Sequence, residues 1–467
     1  MTPEDIRKRV ADARKISKPV LLGFDANGIQ ELVTASSRPI AMRGASEMVR
    51  RFDQWVNQQP GIIFAGGGRG LRMVSEDQVE ATRTELLKKF GELTLGGVLA
   101  IAPAAWDSGQ ERDCLKLLQL RLGNAKDEAP RPQVPLVSRR QDQCADCRLR
   151  RAEVLSLKPD PQGERICRRC EAAIQLGRQT ARKRAEAGMT LEDIAEDGQV
   201  AVVSADGNNM GELFSTLETL EQHAACSAWV DEVFQGAHRD AIAVTGDSIS
   251  PVTGGDDIRA FLSPSFLLEY VTHLAKNVGA RADREQDGLR QFVAANRSAA
   301  KLLSRIGIGI GAVVAPFHHP ASRLVEYAHH FESRAKKICR GQDKQAVRSA
   351  FDFEILTSGQ ELSEGTAERG SEPFKIPTND WEHLRKKARL LSQMPQHQLS
   401  QLFRGHDRDE AEQRNLFRYQ VARIKEWQAW FEGLGIDWRD QNEVDKHMPD
   451  PQLIKLAQLP YRATRST

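Results

Sequence analysis

The feature that most constrains the fold is an order of predicted elements that occurs twice along the chain. In each copy, an apolar strand ending near an aspartate (residues 18–28 and 199–209) precedes a helical stretch. A hairpin with a glycine turn follows (residues 61–74 and 249–263), and then a further helix and strand. This order is that of a ferredoxin-like βαββαβ unit. We therefore predict an α/β (α+β) protein with two such units, against the alternative that common α/β segments coincide by chance.

The second hairpin carries two carboxylates at its tip, in the run Gly254-Gly255-Asp256-Asp257. Adjacent carboxylates repel each other unless a cation lies between them, and Mg²⁺ or Mn²⁺ prefers such hard oxygen ligands. Asp206 ends the first strand of the same unit, and in a ferredoxin-like sheet that strand lies beside the hairpin. The sequence thus predicts that Asp206, Asp256 and Asp257 hold two metal ions for phosphoryl or nucleotidyl transfer. The alternative is an ordinary acidic turn, since Gly and Asp are common turn residues.

A nucleotide bound at this site would contact the strand end and the helix that follows the glycine-rich strand at residues 305–316. The strand-end residues Gly207, Asn208 and Asn209, together with the turn glycines, are predicted nucleotide contacts. Lys336 and Lys337 are candidates for the triphosphate, with a solvated surface as the alternative. Only one of them can face the site, because neighbours on a helix point about 100° apart.

The first unit has a strand-end carboxylate, Asp25, but its hairpin turn reads Gly66-Gly67-Gly68-Arg69 and carries no acid. A glycine turn lets a backbone approach a phosphate or base, and Arg69 is suited to phosphate oxygens, although a solvated turn arginine remains an alternative. We interpret this unit as a non-catalytic partner that helps to hold a nucleotide. Further candidate contacts on this unit are Ser36, Ser37 and Arg43.

Four of the seven cysteines form two CxxC pairs, Cys144/Cys147 and Cys167/Cys170, separated by 19 residues. This spacing predicts a tetrahedral thiolate site for a structural zinc ion, and a redox dithiol pair is the competing interpretation. Arginines crowd these pairs and either contact RNA phosphates or form a solvated face. They are Arg148, Arg150, Arg151, Arg168 and Arg169. The other cysteines, Cys114, Cys226 and Cys339, are predicted packing residues.

Length and charge set the wider organisation. The 467 residues suit roughly three domains, and a net charge of +2 gives no global attraction to nucleic acid. The sequence contains neither an apolar run of about 18 residues nor a secretory signal, so we expect a cytoplasmic protein without a membrane partner. Trp427 and Trp430 are expected to pack a small helical core. The predicted domains are residues 1–130 (first unit, non-catalytic), 131–195 (zinc module and linker helix), 196–360 (catalytic unit) and 361–467 (helical).

These residues resemble the polymerase-like large subunit of type III CRISPR effector complexes. That family carries two Palm domains related to GGDEF cyclases and polymerases, with a zinc module between them. The segments that resemble the first Palm domain are FDANGIQELV, RGAS (43–46) and FAGGGRGL. The second is resembled by SADGNNMG, GGDD, the AKK helix (335–337) and FDFEIL, and the last helical domain by MPQHQLSQLF.

The resemblance implies synthesis of cyclic oligoadenylate second messengers from ATP in antiviral defence, with Mg²⁺ or Mn²⁺ at the catalytic site and structural Zn²⁺. Guide or target RNA and other effector subunits are the implied partners, and a homo-oligomer is possible. Many relatives begin with an HD nuclease domain, whereas this chain begins almost directly with the Palm strand, and we take His406-Asp407 as incidental. We therefore expect a variant without DNase activity. Other cyclic dinucleotide or AMP-transfer chemistry, or a non-catalytic scaffold, remains as an alternative.

Overall fold

The structure is a computed structural model of the whole chain. It describes residues 1–129, 142–156, 163–183, 190–245, 247–340, 347–356, 372–395, 397–399 and 410–459. His406 and Asp407 lie outside the described residues.

The first unit forms a four-stranded antiparallel sheet in the order β2-β3-β1-β4. Its strands are β1 (Pro19–Asn27), β2 (Ile62–Gly66), β3 (Arg69–Ser75) and β4 (Val98–Ala105). A two-stranded hairpin of β5 (Val154–Ser156) and β6 (Glu164–Ile166) follows it in the chain. Placing the first strand between the hairpin and the last strand is the arrangement expected of a ferredoxin-like unit.

The second unit repeats that order within a six-stranded sheet, β12-β11-β10-β7-β9-β8. Its strands are β7 (Gln199–Gly207), β8 (Ser248–Gly254), β9 (Asp257–Leu262), β10 (Ile308–Pro316), β11 (Ser349–Ile355) and β12 (Phe374–Ile376). Strand β11 extends the repeat by pairing parallel to β10, and β12 closes the edge antiparallel to β11. The shared order of the two sheets confirms the predicted pair of ferredoxin-like units.

The helices surround both sheets. In chain order they are α1 (Pro3–Ala13), α2 (Ile29–Thr34), α3 (Pro39–Val56), α4 (Val79–Thr94), α5 (Glu111–Glu128), α6 (Arg168–Lys183), α7 (Leu191–Ile194), α8 (Met210–Thr216), α9 (Leu220–Thr245), α10 (Leu267–Ala282), α11 (Gly288–Ala294), α12 (Arg297–Leu303), α13 (Ala321–Cys339), α14 (Asn379–Leu391), α15 (Glu410–Arg423), α16 (Lys425–Gly433), α17 (Gln441–Lys446) and α18 (Pro451–Ala457). No helix in the described part of the chain is both long and apolar enough to cross a membrane.

Strand β7 is buried on both faces, which explains its continuous apolar sequence. Val200 and Val202 pack with the apolar side of α13, whereas Ala201 and Val203 pack with α9 and α10. Because side chains alternate between the two faces of a strand, the later even-numbered residues of β7 also face α13. This alternation directs the strand-end carboxylate of Asp206 toward α13.

The C-terminal helices α14 to α18 form the predicted helical part. Trp427 and Trp430 on α16 are buried, with their ring centroids 5.6 Å apart. Their expected role in packing is therefore confirmed. Cys114, Cys226 and Cys339 are likewise buried, as predicted for packing residues.

Candidate active site at the acidic turn

The acidic turn is a two-residue connection between β8 and β9. Gly254 pairs with Asp257, which leaves Gly255 and Asp256 as the turn residues. Gly255 has a φ of +59°, a conformation that side-chain-bearing residues rarely adopt. The need for glycine at the turn is therefore met at Gly255, whereas Gly254 ends the strand.

Tertiary packing brings this turn against the end of β7. A Cβ atom added to Gly207 would lie 2.9 Å from the Cβ of Asp256, so the Asp-Gly strand end leaves room for that side chain. An oxygen of the Asp256 carboxyl group would lie 3.1 Å from the same added Cβ, so this carboxyl group lies against the strand end that Asp206 precedes. Burial, together with the nearby charges of Asp206 and Asp257, raises the pKa of Asp256 to about 8. In the absence of a cation, the Asp256 carboxyl group therefore keeps its proton at neutral pH.

Asp257 lies at the other side of the turn and is one-third exposed. Its carboxylate is 3.6 Å from a guanidinium nitrogen of the buried Arg259. Gln30 on α2 of the first unit donates to the same carboxylate at a distance of 3.5 Å. Burial raises the pKa of Asp257, an effect that the Arg259 charge opposes. Residues of both units thus meet at this carboxylate.

The predicted choice between the two lysines falls on Lys336. Its ammonium group bonds to the carboxylate of Asp206 and lies 3.7 Å from that of Glu332. Gly309 on β10 makes this path possible, because an added Cβ would lie 2.5 Å from the Lys336 side chain. Lys337 is exposed and points about 100° away from Lys336 around α13.

Glu332 is a buried acid that the sequence analysis did not single out. Ser204 donates to its carboxylate, and Nδ1 of His329 lies 3.3 Å from the same oxygen. Arg259 approaches that oxygen to 3.6 Å. Burial opposes ionisation, yet the His329 hydrogen bond and the charges of Arg259 and Lys336 hold the pKa of Glu332 at about 2. The signal in the sequence was its position one helical turn before Lys336.

A cavity of about 610 Å³ opens between the two units at this turn. Both hairpin turns line it, the first with Gly66, Gly67 and Arg69, and the second with Gly254, Gly255, Asp256 and Asp257. Polar side chains from α3 and α9 complete the lining, among them Arg50, Asp53, Asp231 and Arg239. A space of this size suits a nucleotide-sized ligand.

The first unit repeats part of the geometry without the turn carboxylates. Asp25 lies opposite Arg69 in the pairing of β1 with β3, and its carboxylate is 2.6 Å from the ammonium nitrogen of Lys126 on α5. Gly67 and Gly68 both have positive φ values. Arg69 is exposed, and its guanidinium stacks on the ring of Phe214 at 4.4 Å, close to the cavity.

Four of the predicted nucleotide contacts are occupied elsewhere. Asn208 is fully buried and donates to the backbone carbonyl of Arg348. Arg43 is also buried and lies outside the cavity lining. Ser36 and Ser37 donate to the carboxylate of Asp146 in the cysteine module. These placements do not favour direct contact with a ligand in the cavity. Asn209, by contrast, is partly exposed and lies in a left-handed conformation immediately before α8.

Asp53 on α3 holds the turn of the first unit. Its carboxylate accepts the N–H of Gly68 at 3.1 Å. Burial raises the pKa of Asp53 to about 7, the hydrogen bonds from the turn oppose that rise, and the charge of Asp231 adds to it. No local sequence pattern points to Asp53, because its partner lies across the unit.

We expect the Asp53 carboxyl to make the protein less stable as the pH rises from about 4 to about 7. Its pKa in the folded protein is about 7 against an ordinary value of 3.8, so the stabilisation is complete below pH 3.8 and is lost as the pH passes 7. Asp53→Asn retains an acceptor oxygen but does not titrate. In melting experiments across this range, the parent should lose stability relative to Asp53→Asn, and a constant difference would contradict the assignment.

The four predicted zinc ligands converge. The sulfur atoms of Cys144, Cys147, Cys167 and Cys170 all lie within 4.8 Å of one another in a buried cluster. The backbone N–H of Cys167 donates to the Cys144 sulfur at 3.2 Å. Within the described residues, this is the one group of three or more His, Cys, Asp or Glu side chains whose ligand atoms lie close enough together to hold a metal ion. A tetrahedral thiolate set fits zinc.

Most of the arginines around this module serve internal contacts. Arg150 donates to the backbone carbonyl of Leu95 at 2.6 Å, and the buried Arg169 donates to that of Leu32. Arg168 is exposed and pairs with Glu153 at 3.0 Å. The bonds of Arg150 and Arg169 join the module to the first unit, whereas the Arg168 pair lies within the module.

Replacing Cys167 with serine is expected to abolish stoichiometric zinc binding and lower the melting temperature. Structural zinc sites contribute folding free energy directly, and one thiolate of four would be lost. Zinc content per chain by mass spectrometry and thermal unfolding measure the two effects. Cys114→Ser, at a buried cysteine outside the cluster, is the control, and equal zinc content in both variants would contradict the prediction.

The acidic turn also offers oxygen ligands suited to divalent cations, although the carboxylates of Asp206, Asp256 and Asp257 do not converge on a single point. Asp206 and Asp256 offer hard oxygen donors at the end of β7, and the ammonium of Lys336 supplies a positive charge beside Asp206. Mg²⁺ and Mn²⁺ are the cations that such oxygen donors accept. The geometry therefore supports Asp206 and Asp256 as a pair, with Asp257 beside them.

Two ferredoxin-like units, one carrying an acidic turn beside a strand-end aspartate, define a protein with paired palm-type domains. Residues 199–346 match the family model described as Cas10/Cmr2, second palm domain. On this match, the second unit is similar to the second palm domain of Cas10/Cmr2.

Solved structures agree with this fold. A Csm1–Csm4 cassette in complex with cA4 superposes with a TM-score of 0.55 at 12% identity, over 94% of this chain and 72% of that chain. Csm1 in T. onnurineus gives a TM-score of 0.54 at 13% identity, over 94% and 70%. A Csm1–Csm4 cassette in complex with one ATP gives 0.53 at 12%, over 97% and 72%. No curated protein sequence matches this chain.

Proposed function

We propose that the chain is a metal-dependent nucleotidyltransferase that makes cyclic oligoadenylates from ATP. The observation that carries the proposal is the carboxyl pair of Asp206 and Asp256, held together where the turn enters a cavity shared by both units. The second unit, within residues 196–360, would be catalytic. The first, within residues 1–130, would hold a second nucleotide.

The residues of the chain divide the work of this reaction. Asp206, Asp256 and Asp257 would hold Mg²⁺ or Mn²⁺, which lowers the pKa of an attacking hydroxyl and neutralises the leaving pyrophosphate. Lys336 is placed to exchange its carboxylate partner for triphosphate oxygens. Arg69 stands on the first turn across the cavity, where it would meet the phosphate of the other nucleotide.

The solved relatives support the substrate class and the partners. Two of them are Csm1–Csm4 cassettes, one in complex with cA4 and the other with one ATP. By analogy of fold, we propose that this chain binds ATP and assembles with other effector subunits and RNA in antiviral defence, with a structural zinc ion in the cysteine module.

The test is incubation of the parent protein with ATP and Mn²⁺, with and without RNA, followed by identification of products by mass. The Asp256→Ala, Asp257→Ala double variant should lose product formation, with a rate drop of at least about 100-fold, the size seen when positioned charge stabilisation is removed. The matched control is Glu232→Ala, Asp240→Ala, which removes two exposed acids from α9 of the same unit.

Each of the other outcomes would favour a different function for this chain. Products from GTP or from mixed nucleotides would point to cyclic dinucleotide chemistry, and a labelled acceptor would point to AMP transfer. An inactive parent, with RNA supplied, would overturn the enzyme and favour a scaffold role.

A further inference from the structure

We propose that Asp231 and Gln235 on α9 are positioning residues that hold the Gly255 peptide and thereby set the affinity of the acidic turn for its divalent cation. This inference rests on the proposed function, because it assumes that the turn binds a cation. It concerns residues that do not touch the ion and act through the backbone of the turn.

The two side chains hold both polar groups of one residue. The N–H of Gly255 donates to Oδ1 of Asp231 at 3.2 Å, and the carbonyl oxygen of Gly255 accepts from Nε2 of Gln235 at 3.0 Å. Asp231 and Gln235 lie four residues apart on α9, so they share one face of the helix. One helix face thus fixes the orientation of Gly255 from two directions.

The turn has little else in its surroundings to fix this orientation. Gly255 has no side chain, and no atom lies within 4 Å of the position that a Cβ would occupy. The same open space surrounds Gly254. A flexible glycine turn costs conformational entropy to order, and the hydrogen bonds from α9 offset that cost in the folded protein.

The position of Asp256 depends directly on this peptide. Asp256 follows Gly255 in the chain, and its carboxyl group must stay beside that of Asp206. Metal ligands need positioning to within about 0.5 Å. Loss of groups that orient ligands typically weakens metal binding by about 10- to 100-fold.

The first unit uses the same device, which argues against a chance contact. Asp53 on α3 accepts the N–H of Gly68 at 3.1 Å, and α3 follows the first strand of its unit as α9 does in the second. In each copy, a helix carboxylate thus holds the glycine turn of its own hairpin. In the second copy, that turn also bears the candidate metal ligands.

Hydrogen exchange measures the clamp without any cation. Exchange is carried out on the intact protein and read out in the proteolytic fragment that spans the 248–258 hairpin. Asp231→Ala should speed amide exchange in this fragment, because the Gly255 N–H loses its acceptor. Asp231→Asn retains an acceptor oxygen and should exchange at nearly the parent rate. The control is Glu232→Ala, the neighbouring exposed acid on α9. Equal exchange in Asp231→Ala and the control would overturn the inference.

Mn²⁺ affinity, followed by electron paramagnetic resonance, measures the consequence. We expect Asp231→Ala and Gln235→Ala to weaken binding by about 10-fold or more, and Asp231→Asn to remain within about threefold of the parent. If Asp231→Asn is as weak as Asp231→Ala, the charge of Asp231 acts rather than the hydrogen bond, and the inference fails. Gln235→Ala leaves every acid in place, so it keeps the test valid if Asp231→Ala does not fold.

The same titration separates this inference from the proposed function. If the Asp256→Ala, Asp257→Ala double substitution does not weaken Mn²⁺ binding relative to the parent protein, both the proposed function and this inference are overturned. A parent that binds Mn²⁺ at that site, with unchanged affinity in Asp231→Ala and Gln235→Ala, overturns the positioning role alone.

Discussion

Replacing Lys336 with methionine is expected to change two affinities in opposite directions. Without nucleotide, the variant should bind Mn²⁺ about 10-fold more tightly, because a charge-assisted bond of about 1.5–3 kcal/mol no longer competes for the carboxylate of Asp206. In the presence of Mn²⁺, its affinity for ATP should fall by about 10-fold or more, because the triphosphate loses a cationic partner.

Two titrations of the same preparations test this prediction. Electron paramagnetic resonance follows Mn²⁺ without nucleotide, and calorimetry follows a non-hydrolysable ATP analogue with Mn²⁺ present. Lys337→Met is the matched control, because Lys337 is the exposed neighbour on the same helix. A Lys336→Met protein with parental values in both titrations would show that the ammonium takes no part in the site.

Replacing Gly44 with alanine is expected to destabilise the protein by about 1–3 kcal/mol, the usual cost of overpacking. Gly44 lies on α3 where α6 crosses it, and an added Cβ would lie 1.7 Å from the carbonyl oxygen of Ala173. A Cβ added to Gly177 on α6 would lie 1.9 Å from the carbonyl oxygen of Ile40. Because both obstacles are backbone atoms, the helices must separate to admit the methyl group.

Gly91→Ala is the matched control for this substitution. Gly91 lies within α4, and no atom lies within 4 Å of its Cβ position. Removing a helix-interior glycine there should stabilise the protein by about 0.4–1 kcal/mol. Thermal unfolding of the two variants measures the contrast, and Gly44→Ala should also lose zinc more readily, since α6 carries Cys170. Two variants of equal stability would refute the close crossing of α3 and α6.

Elements with a strong local pattern were predicted from the sequence, and those with a weak one were missed. Helix α5 has a weak helical pattern in the sequence, because it buries few residues and leaves Leu117 and Leu120 exposed. Strand β12 has only three residues at a sheet edge. Helix α1, by contrast, has a local sequence signal in its capping box at Thr2 and Asp5.

The sequence by itself determined the duplicated unit, the acidic glycine turn and the pairs of cysteines. Each of these depends on residues close together in the chain, where apolar alternation, turn geometry and ligand spacing act. The tertiary structure alone decided that Lys336 rather than Lys337 faces Asp206 and that Asn208 is buried. It also decided that Asp231 holds Gly255. These contacts join residues up to 130 positions apart, and packing of the sheets and helices sets which side chains meet, so no local pattern encodes them.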